Sequence, residues 1–344
     1  MIKHVNGSCT ALALFLLACN PVLAQGNDAA FYKGKQITMI IGGGVGGGFD
    51  VYARAAAQFM PKHIAGNPTI VPKNLPAGFG VAAANALSNT VEKDGLTFAA
   101  FTQAAAFEPL LGTANAKYEP EKFGWLGSMG KLQNVCTTWH QNDAKTLEDL
   151  RRKEVMVGAS GATGDTALLP NILNEMLGTR LRVVNGYEPG MGIVMAVERG
   201  EIAGVCGLAW STIKASKPDW VRDKKLNVIL QLGLSKVSEL PDVPMAIDLV
   251  KDPTDKAVLQ LILVRQEMGR PFAAPYGIPP HRLAILQAAF ERTMKDPEFV
   301  AYAEKLQLEI DVLTGEEVRK LLVQAYASPP NVVAKARKLL QPSQ

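Results

Sequence analysis

The sequence is poor in the residues that build metal sites, and its positive charge is not concentrated in any one segment. Its 344 residues include four cysteines and four histidines, with no CxxC pattern and no two histidines at i, i+4 spacing. Those are the spacings of common metal sites, so the sequence indicates no metal and no cofactor. The net charge of +4 is spread without a basic run. Nucleic-acid binding calls for a concentrated basic patch, so no nucleic-acid partner is expected.

Apolar runs long enough to span a bilayer are also lacking. The run Ala11–Cys19 has nine residues, whereas a membrane-spanning helix needs about 20. Lys3 precedes this run and the small residues of Val22–Ala24 follow it, the pattern of a cleaved signal peptide. We therefore expect a signal peptide over 1–24 and a periplasmic protein. The alternatives are a buried N-terminal helix and a lipid anchor at Cys19.

Removal of a signal peptide would leave two cysteines, Cys136 and Cys206. In an oxidising compartment an even pair is a candidate disulfide. Two buried free thiols are the alternative. The spacing of the two residues along the chain does not decide between these possibilities, since bridging depends on the Cα separation.

A buried strand, a glycine-rich loop, an aspartate and a helix follow one another twice, about 115 residues apart. Strands that alternate with helices in this way predict parallel α/β sheets. The two copies comprise 36–41, 42–48, Asp50 and 51–60, and then 155–157, 158–164, Asp165 and 166–177.

Glycine loops of this kind can hold an anion without a cationic side chain. Glycine lets backbone N–H groups approach a ligand closely, and the following helix leaves its first N–H groups unpaired at its positive end. We expect hydroxyl groups of Thr102, Ser160 and Thr163 to assist, and Asp50 and Asp165 to act as helix N-caps. The alternative is that both loops are tight turns without a ligand.

Motifs that would indicate a specific enzyme or nucleotide-binding function are incomplete in both loops. The run 42–47 satisfies GxGxxG, but no acidic residue ends the second strand, as a dinucleotide site requires. The Walker lysine is absent after Gly48, and Ala162 breaks the GxSxG pattern of a lipase elbow. A secreted α/β hydrolase that uses Ser160 with His281 remains the enzymatic alternative.

An ordered series of short motifs resembles the substrate-binding proteins of tripartite tricarboxylate transporters, also called Bug receptors. The series runs from about Phe31 to the C-terminus. It departs from the family at Gly42–Val45 and at Phe49, where the family has other residues. The matching motifs are Gly46–Asp50, Asn74–Gly78, Asp94–Thr97, Ser160–Asp165, Asn185–Gly190, Leu240–Pro244 and Ala274–Pro279.

The resemblance implies a two-lobed periplasmic-binding-protein fold of type II, the Venus flytrap, with two parallel-type sheets, flanking helices and two crossover strands. One lobe would comprise 27–130 and 235–344, and the other 131–234. It further implies a monomeric receptor, with no catalytic activity, that delivers a small mono- or dicarboxylate to membrane permease subunits. A ligand sensor for a signalling system is the alternative.

The expected ligand-binding residues combine both glycine loops with their neighbours. Phe49, Phe79, Phe107 and Tyr187 are the candidates to pack on the ligand body, with the lobe cores as the alternative, and an aromatic acid is expected if Phe49 and Phe79 face the cleft. The expected set is Gly46, Gly47, Gly48, Phe49, Asp50, Gly78, Phe79, Thr102, Gln103, Ser160, Gly161, Ala162, Thr163, Gly164, Asp165 and Tyr187.

Overall fold

The structure is a computed structural model that describes residues 1, 30–162, 164–188 and 190–340. The expected signal peptide over 1–24, the lipid-anchor alternative at Cys19 and the candidate hydroxyl of Thr163 lie outside the described residues.

The described strands form two separate mixed sheets. The first has the order β11-β4-β10-β3-β1-β2 and the second the order β7-β6-β8-β5-β9. The strands are β1 (Gln36–Ile41), β2 (Thr69–Asn74), β3 (Thr97–Ala100), β4 (Gly124–Ser128), β5 (Asn134–Trp139), β6 (Val155–Gly158), β7 (Leu181–Val184), β8 (Gly204–Ala209), β9 (Leu226–Leu232), β10 (Pro271–Ala274) and β11 (Leu313–Thr314).

Helices connect the strands and cover the sheets. They are α1 (Gly48–Phe59), α2 (Val81–Asn89), α3 (Glu108–Leu111), α4 (Leu147–Arg152), α5 (Asp165–Leu177), α6 (Met191–Glu198), α7 (Trp210–Ser216), α8 (Pro218–Arg222), α9 (Ala246–Leu249), α10 (Pro253–Met268), α11 (Pro280–Met294), α12 (Pro297–Lys305), α13 (Gly315–Tyr326) and α14 (Pro330–Leu340). The fold is thus the expected two-lobed α/β architecture.

The expectation of parallel sheets is only partly correct. β1 pairs in parallel with β2 and β3, and β6 with β7 and β8. β10 and β11 pair antiparallel to their neighbours in the first sheet, as β5 does in the second. β5 and β10 are the first strands after each passage between sheets. The chain leaves one sheet at the carboxyl ends of its parallel strands and enters the other at the matching edge, so the entering strand runs in the reverse direction.

Local sequence determines several element boundaries. Thr146 and Thr314 each accept a hydrogen bond from the backbone N–H three residues later, and each completes a capping box. Such caps satisfy N–H groups that a helix end leaves unpaired. Both caps follow the sequence pattern of a threonine with an acidic residue three positions later, and a proline occupies the first position of α12.

One buried apolar cluster is continuous between the two sheets. It contains Ala99 and Phe101 from the first sheet and its following loop, and Leu169 from α5 on the second. Ile262 of α10 and Val333 of α14 complete the connection, and α14 packs against both α10 and α5. The last helix therefore bridges the two halves of the molecule.

Two further features concern the cysteines and the lengths of the helices. Cys136 of β5 and Cys206 of β8 occupy paired positions on neighbouring strands, and their sulfur atoms are bonded. In the part of the chain that the structure describes, no helix combines the length and apolarity needed to cross a bilayer.

Candidate functional site

The loops that carry the predicted site lie at two edges of the sheets. Because β1, β2 and β3 are parallel, the loops at 42–47, 75–80 and 101–107 all leave the same edge of the first sheet. The loops after β6 and β7 and the start of α7 likewise leave one edge of the second sheet. The chain passes between sheets at these edges, so the two sets of loops border one cleft.

The two edges contact each other directly. Gln103, which follows β3, donates a hydrogen bond from Nε2 to Oδ2 of Asp165 at the start of α5, with a distance of 3.1 Å. Gln103 is buried, with 2% of its surface exposed. The predicted residues Gln103 and Asp165, 62 positions apart in sequence, therefore meet across the cleft.

A second polar link joins the lobes through α7. The Lys214 ammonium pairs with the carboxylates of Glu239 and Glu309. Burial by itself lowers the pKa of Lys214, but hydrogen bonds to these two carboxylates outweigh burial and raise it. Lys214 therefore remains charged in this link.

The first glycine loop is held by Asp50. Its carboxylate accepts hydrogen bonds from Gly46 N–H at 2.8 Å, Asn74 Nδ2 at 2.8 Å and Arg54 Nε at 2.9 Å. Asn74 Nδ2 also donates to the carbonyl oxygen of Gly43 at 2.9 Å. These contacts fix the shape of the loop against the end of β2.

The expected N-cap role of Asp50 is wrong. The N-cap of α1 is Gly47, and Asp50 is the third residue of the helix, from which its carboxylate reaches back to the loop. Burial by itself raises the pKa of Asp50, but the hydrogen bonds from Arg54, Asn74 and Gly46 outweigh burial and lower it. The carboxylate is therefore ionised at neutral pH.

The same expectation fails for Asp165. Gly164 is the N-cap of α5 and Asp165 is its first residue. Its carboxylate points away from the helix N–H groups because four side chains bind it: in addition to Gln103, it accepts from Asn134 Nδ2 at 3.2 Å, Arg265 Nη2 at 3.1 Å and Gln266 Nε2 at 2.8 Å. One buried guanidinium and three amides outcompete a local capping bond.

Sequence reasoning missed three of these four partners. Asn134, Arg265 and Gln266 lie between 31 and 101 positions from Asp165. A buried arginine inside the apolar helix α10 is the one signal that could have indicated a paired carboxylate elsewhere.

Two acceptor atoms beside Asp165 have no hydrogen-bond partner among the described residues. They are the Oε1 atoms of Gln103 and Gln266, both fully enclosed. The Nε2 atoms of both amides face the carboxylate, which fixes their orientation. Buried carbonyl oxygens normally bind a protein group or an ordered water, so this cluster has unused acceptor capacity.

Among the described residues, the helix N-termini at the cleft have no side-chain caps, a property that they share with α3, α8, α9 and α11. None of the five helices that begin at the cleft edges, α1, α2, α5, α6 and α7, has a side-chain cap in the described structure. Side chains do cap α4, α10, α12 and α13, all of which begin away from the cleft. The helix ends at the cleft thus keep N–H groups without a capping side chain.

Four glycines, which lie in the two loops or at the start of α1, are not required by the fold. A Cβ atom at Gly44, Gly48 or Gly161 would meet no atom within 4 Å, and at Gly164 it would meet ordinary contacts from 3.7 Å. None of the four has a positive φ. Every other described glycine either has a positive φ or would bring a Cβ to within 3.2 Å of another atom. Neither packing nor backbone conformation therefore explains why these four positions lack a side chain.

The remaining predicted residues divide between the cleft surface and the interior. Ala162 is exposed, and Ser160, Gly161, Phe49 and Tyr187 are half-buried. Phe107 is buried in the apolar cluster. It therefore lies in the core, which was the alternative to its contact with the ligand.

Thr102 is buried, and its hydroxyl donates to the carbonyl oxygen of Phe79 at 2.5 Å. This hydrogen bond uses the donor that the sequence assigned to the ligand. Thr102 instead holds the loop that contains Gly78 and Phe79.

The structure does not favour a catalytic triad or a metal site. Ser160 follows β6 in the second sheet, whereas His281 begins α11 after β10, which runs away from the cleft in the first sheet. No group of three or more His, Cys, Asp or Glu side chains in the described ranges is placed to hold a metal ion.

Comparisons with known proteins address the fold. No family model matches the sequence. A curated relative from Agrobacterium vitis, the UPF0065 protein in the TAR-I ttuE-ttuC' intergenic region, is 26% identical over 234 residues, 65% of this chain. The chain spans 63% of the length of that relative.

Solved structures match over nearly the whole chain. The periplasmic binding protein BugD superposes with a TM-score of 0.66 at 17% identity, covering 91% of this chain and 100% of BugD. The chain has the fold of the periplasmic solute-binding proteins. The fold that the Bug-receptor motifs implied is thereby confirmed.

Two further structures with this solute-binding fold contain ligands. MatC from Rhodopseudomonas palustris, with bound malate, has a TM-score of 0.63 at 17% identity and covers 89% of this chain and 99% of its own. Rpa4515 from the same organism, with adipate, has a TM-score of 0.66 at 17% identity and covers 88% and 97%.

Proposed function

We propose that the chain is an exported solute-binding receptor that captures a small carboxylate between its two lobes and releases it to a membrane permease. The lobes would comprise 27–130 with 235–344, and 131–234. The observation that supports this most directly is the set of four glycines that neither backbone conformation nor packing requires. All four lie in the two loops at the cleft or at the start of the helix that follows, where N–H groups not covered by a side chain suit a carboxylate.

The uncapped helix ends supply the binding chemistry. Helix N-termini carry partial positive charge, and a carboxylate accepts charge-assisted hydrogen bonds from backbone N–H groups. Hydrogen bonds to charged groups contribute about 1.5–3 kcal/mol each. A few of them, with apolar contact, suffice for a dissociation constant of about 1 μM, or about −8 kcal/mol. The neighbouring structures MatC and Rpa4515 contain malate and adipate, which are both carboxylates.

Closure of the lobes would complete the site. A carboxylate would first bind the N–H groups of one loop and then those of the other as the two edges approach. Exclusion of water strengthens each hydrogen bond. Only the closed form would dock on the permease, so the ligand acts by shifting a population between two conformations. The chain would catalyse no reaction, and no observation at Ser160 favours a hydrolase.

The test uses substitutions at glycines that the fold does not need. We expect Gly48→Val and Gly161→Val to fold, with melting temperatures close to that of the unchanged protein, because their added side chains meet open space. Both should abolish carboxylate binding in isothermal titration calorimetry, because each side chain covers the loop N–H groups.

Ala301→Val is the matched control. Ala301 is exposed on α12, away from the cleft, so this substitution adds similar bulk without covering either loop. It should bind as the unchanged protein does. Unaltered affinity in both loop variants would refute the backbone N–H site.

A further inference from the structure

Phe79 lies beside the first glycine loop. It belongs to the loop after β2, and its neighbour Gly80 has its Cα atom 3.1 Å from where a Cβ of Gly42 would lie. Its carbonyl oxygen binds Thr102, next to Gln103, which contacts the second lobe. These contacts place Phe79 at the cleft edge.

The Phe79 ring is not part of the apolar cores. It is absent from all three buried clusters and is 40% exposed. Other large apolar side chains are exposed at the same two edges: Val45 at 78% and Leu75 at 36% on the first lobe, and Met191 at 45% on the second. Clustered exposed apolar side chains are characteristic of binding surfaces, so these residues give the cleft an apolar border.

The backbone of Phe79 is in a conformation that aromatic residues rarely adopt. Its φ is +52°, between Gly78 at +63° and Gly80 at +95°. A bulky residue in the left-handed region is an outlier, and such residues cluster at binding sites. Glycine would adopt this conformation without a steric penalty. The positive φ angles thus account for Gly78 and Gly80, but they do not account for an aromatic side chain at Phe79.

Both arginines beside the loops, Arg54 and Arg265, are already paired. Arg54 binds Asp50, and Arg265 binds Asp165. A ligand bound through its carboxylate to the loop N–H groups would therefore meet apolar side chains with the rest of its body. We propose that Phe79 selects the ligand, and that the ligand is a carboxylic acid with an apolar body, either an aromatic ring or an alkyl chain. This inference rests on the proposed carboxylate-binding function.

The test compares three probes by isothermal titration calorimetry on the purified protein: benzoate, hexanoate and malate. The unchanged protein should bind benzoate or hexanoate at least about ten-fold more tightly than malate, as burial of a ring or alkyl chain provides. Phe79→Gly should weaken binding of the preferred apolar acid by about ten-fold or more and leave malate within about two-fold.

Tyr276→Ala is the control for loss of an exposed aromatic ring. Tyr276 is 52% exposed and follows β10 at the opposite edge of the first sheet, so its removal should change no affinity. Preference of the unchanged protein for malate, or unaltered affinity for the apolar acids in Phe79→Gly, overturns the inference and leaves the receptor function standing. Failure of all three probes to bind the unchanged protein, at concentrations that saturate a weak site, overturns both.

Discussion

At the scale of single residues, some glycines occupy positions where the fold would accept a side chain, and one phenylalanine occupies a position where the fold favours glycine. Gly44 and Gly48 occupy ordinary backbone conformations in open space, where any side chain would fit. Phe79 occupies a left-handed conformation that suits glycine. Local preferences that conflict with local structure are expected at binding sites, where function opposes stability. The conflict at Phe79 can be measured without any ligand.

The conflict predicts an inverted order of stability. Phe79→Gly and Phe79→Ala remove the same ring and differ in one methyl group. We expect the glycine variant to be more stable by about 1 kcal/mol, because the Cβ of an L-residue is penalised in the left-handed region. Urea unfolding of the two variants measures the difference. In ordinary helix or strand positions alanine is the more stable residue, so that order here would contradict the φ of Phe79.

At the scale of elements, the sequence predicted what is encoded locally. β1 has the predicted bounds, and the threonine-to-acid patterns at Thr146 and Thr314 form capping boxes. β4 was missed because two glycines in five residues hide its apolar pattern. The N-cap assignments of Asp50 and Asp165 failed because distant partners claim both carboxylates. Whether an aspartate caps its helix depends on distant side chains that compete for its carboxylate, and the neighbouring sequence does not show them.

Uncapped helices at the cleft predict a trade between stability and binding. Gly164 has extended dihedral angles, φ −82° and ψ 158°, that suit an N-cap serine. Gly164→Ser should raise the free energy of unfolding by a few tenths of a kcal/mol, roughly the difference between serine and glycine caps. It should also weaken carboxylate binding, since the serine oxygen would occupy an N–H group of α5.

Urea unfolding and calorimetry on the same protein sample test both effects. Thr314→Ala, at a capped helix away from the cleft, should instead lose about 1 kcal/mol without changing affinity. Stronger ligand binding in Gly164→Ser would count against a role for the α5 N-terminus.

The paired cysteines predict a redox-dependent stability. Cys136 and Cys206 are 70 residues apart in sequence. A disulfide that closes a long loop typically contributes about 2–4 kcal/mol to the free energy of unfolding. Dithiothreitol should therefore lower the urea midpoint of the unchanged protein. The double variant Cys136→Ala, Cys206→Ala should be insensitive to reductant. Equal sensitivity of the two proteins would show that the bridge does not contribute.

At the scale of the whole molecule, Asp165 joins the two lobes. It receives hydrogen bonds from residues that follow β3, begin β5 and lie on α10. Its partner Arg265 has a side-chain exposure of 3%, against 12% for Asp165. No part of this network was predicted beyond the membership of Gln103 and Asp165 in the site, because its members come together only when both sheets are in place.

Loss of the Asp165 charge should be costly. Asp165→Asn leaves the buried guanidinium of Arg265 without a counter-charge, and breaking a buried pair costs about 3–5 kcal/mol. Urea unfolding measures this loss. Glu201→Gln is the matched control, since the Arg199–Glu201 pair is about half exposed and its loss should leave stability unchanged. Similar stability in both variants would show that Asp165 and Arg265 are exposed to solvent and do not form a buried ion pair.

The helix α14, which packs against α10 and α5 alike, has a consequence for how the chain melts. Its contacts join the two halves along one flank through a shared buried cluster, although each half also has a buried cluster of its own. Scanning calorimetry should record one endotherm with equal van't Hoff and calorimetric enthalpies, and residues 131–234 expressed alone should be less stable than in the whole chain, because they lose the shared cluster. In a binding protein built in this way, the lobes would stay joined on the side of α14 and separate only on the opposite side.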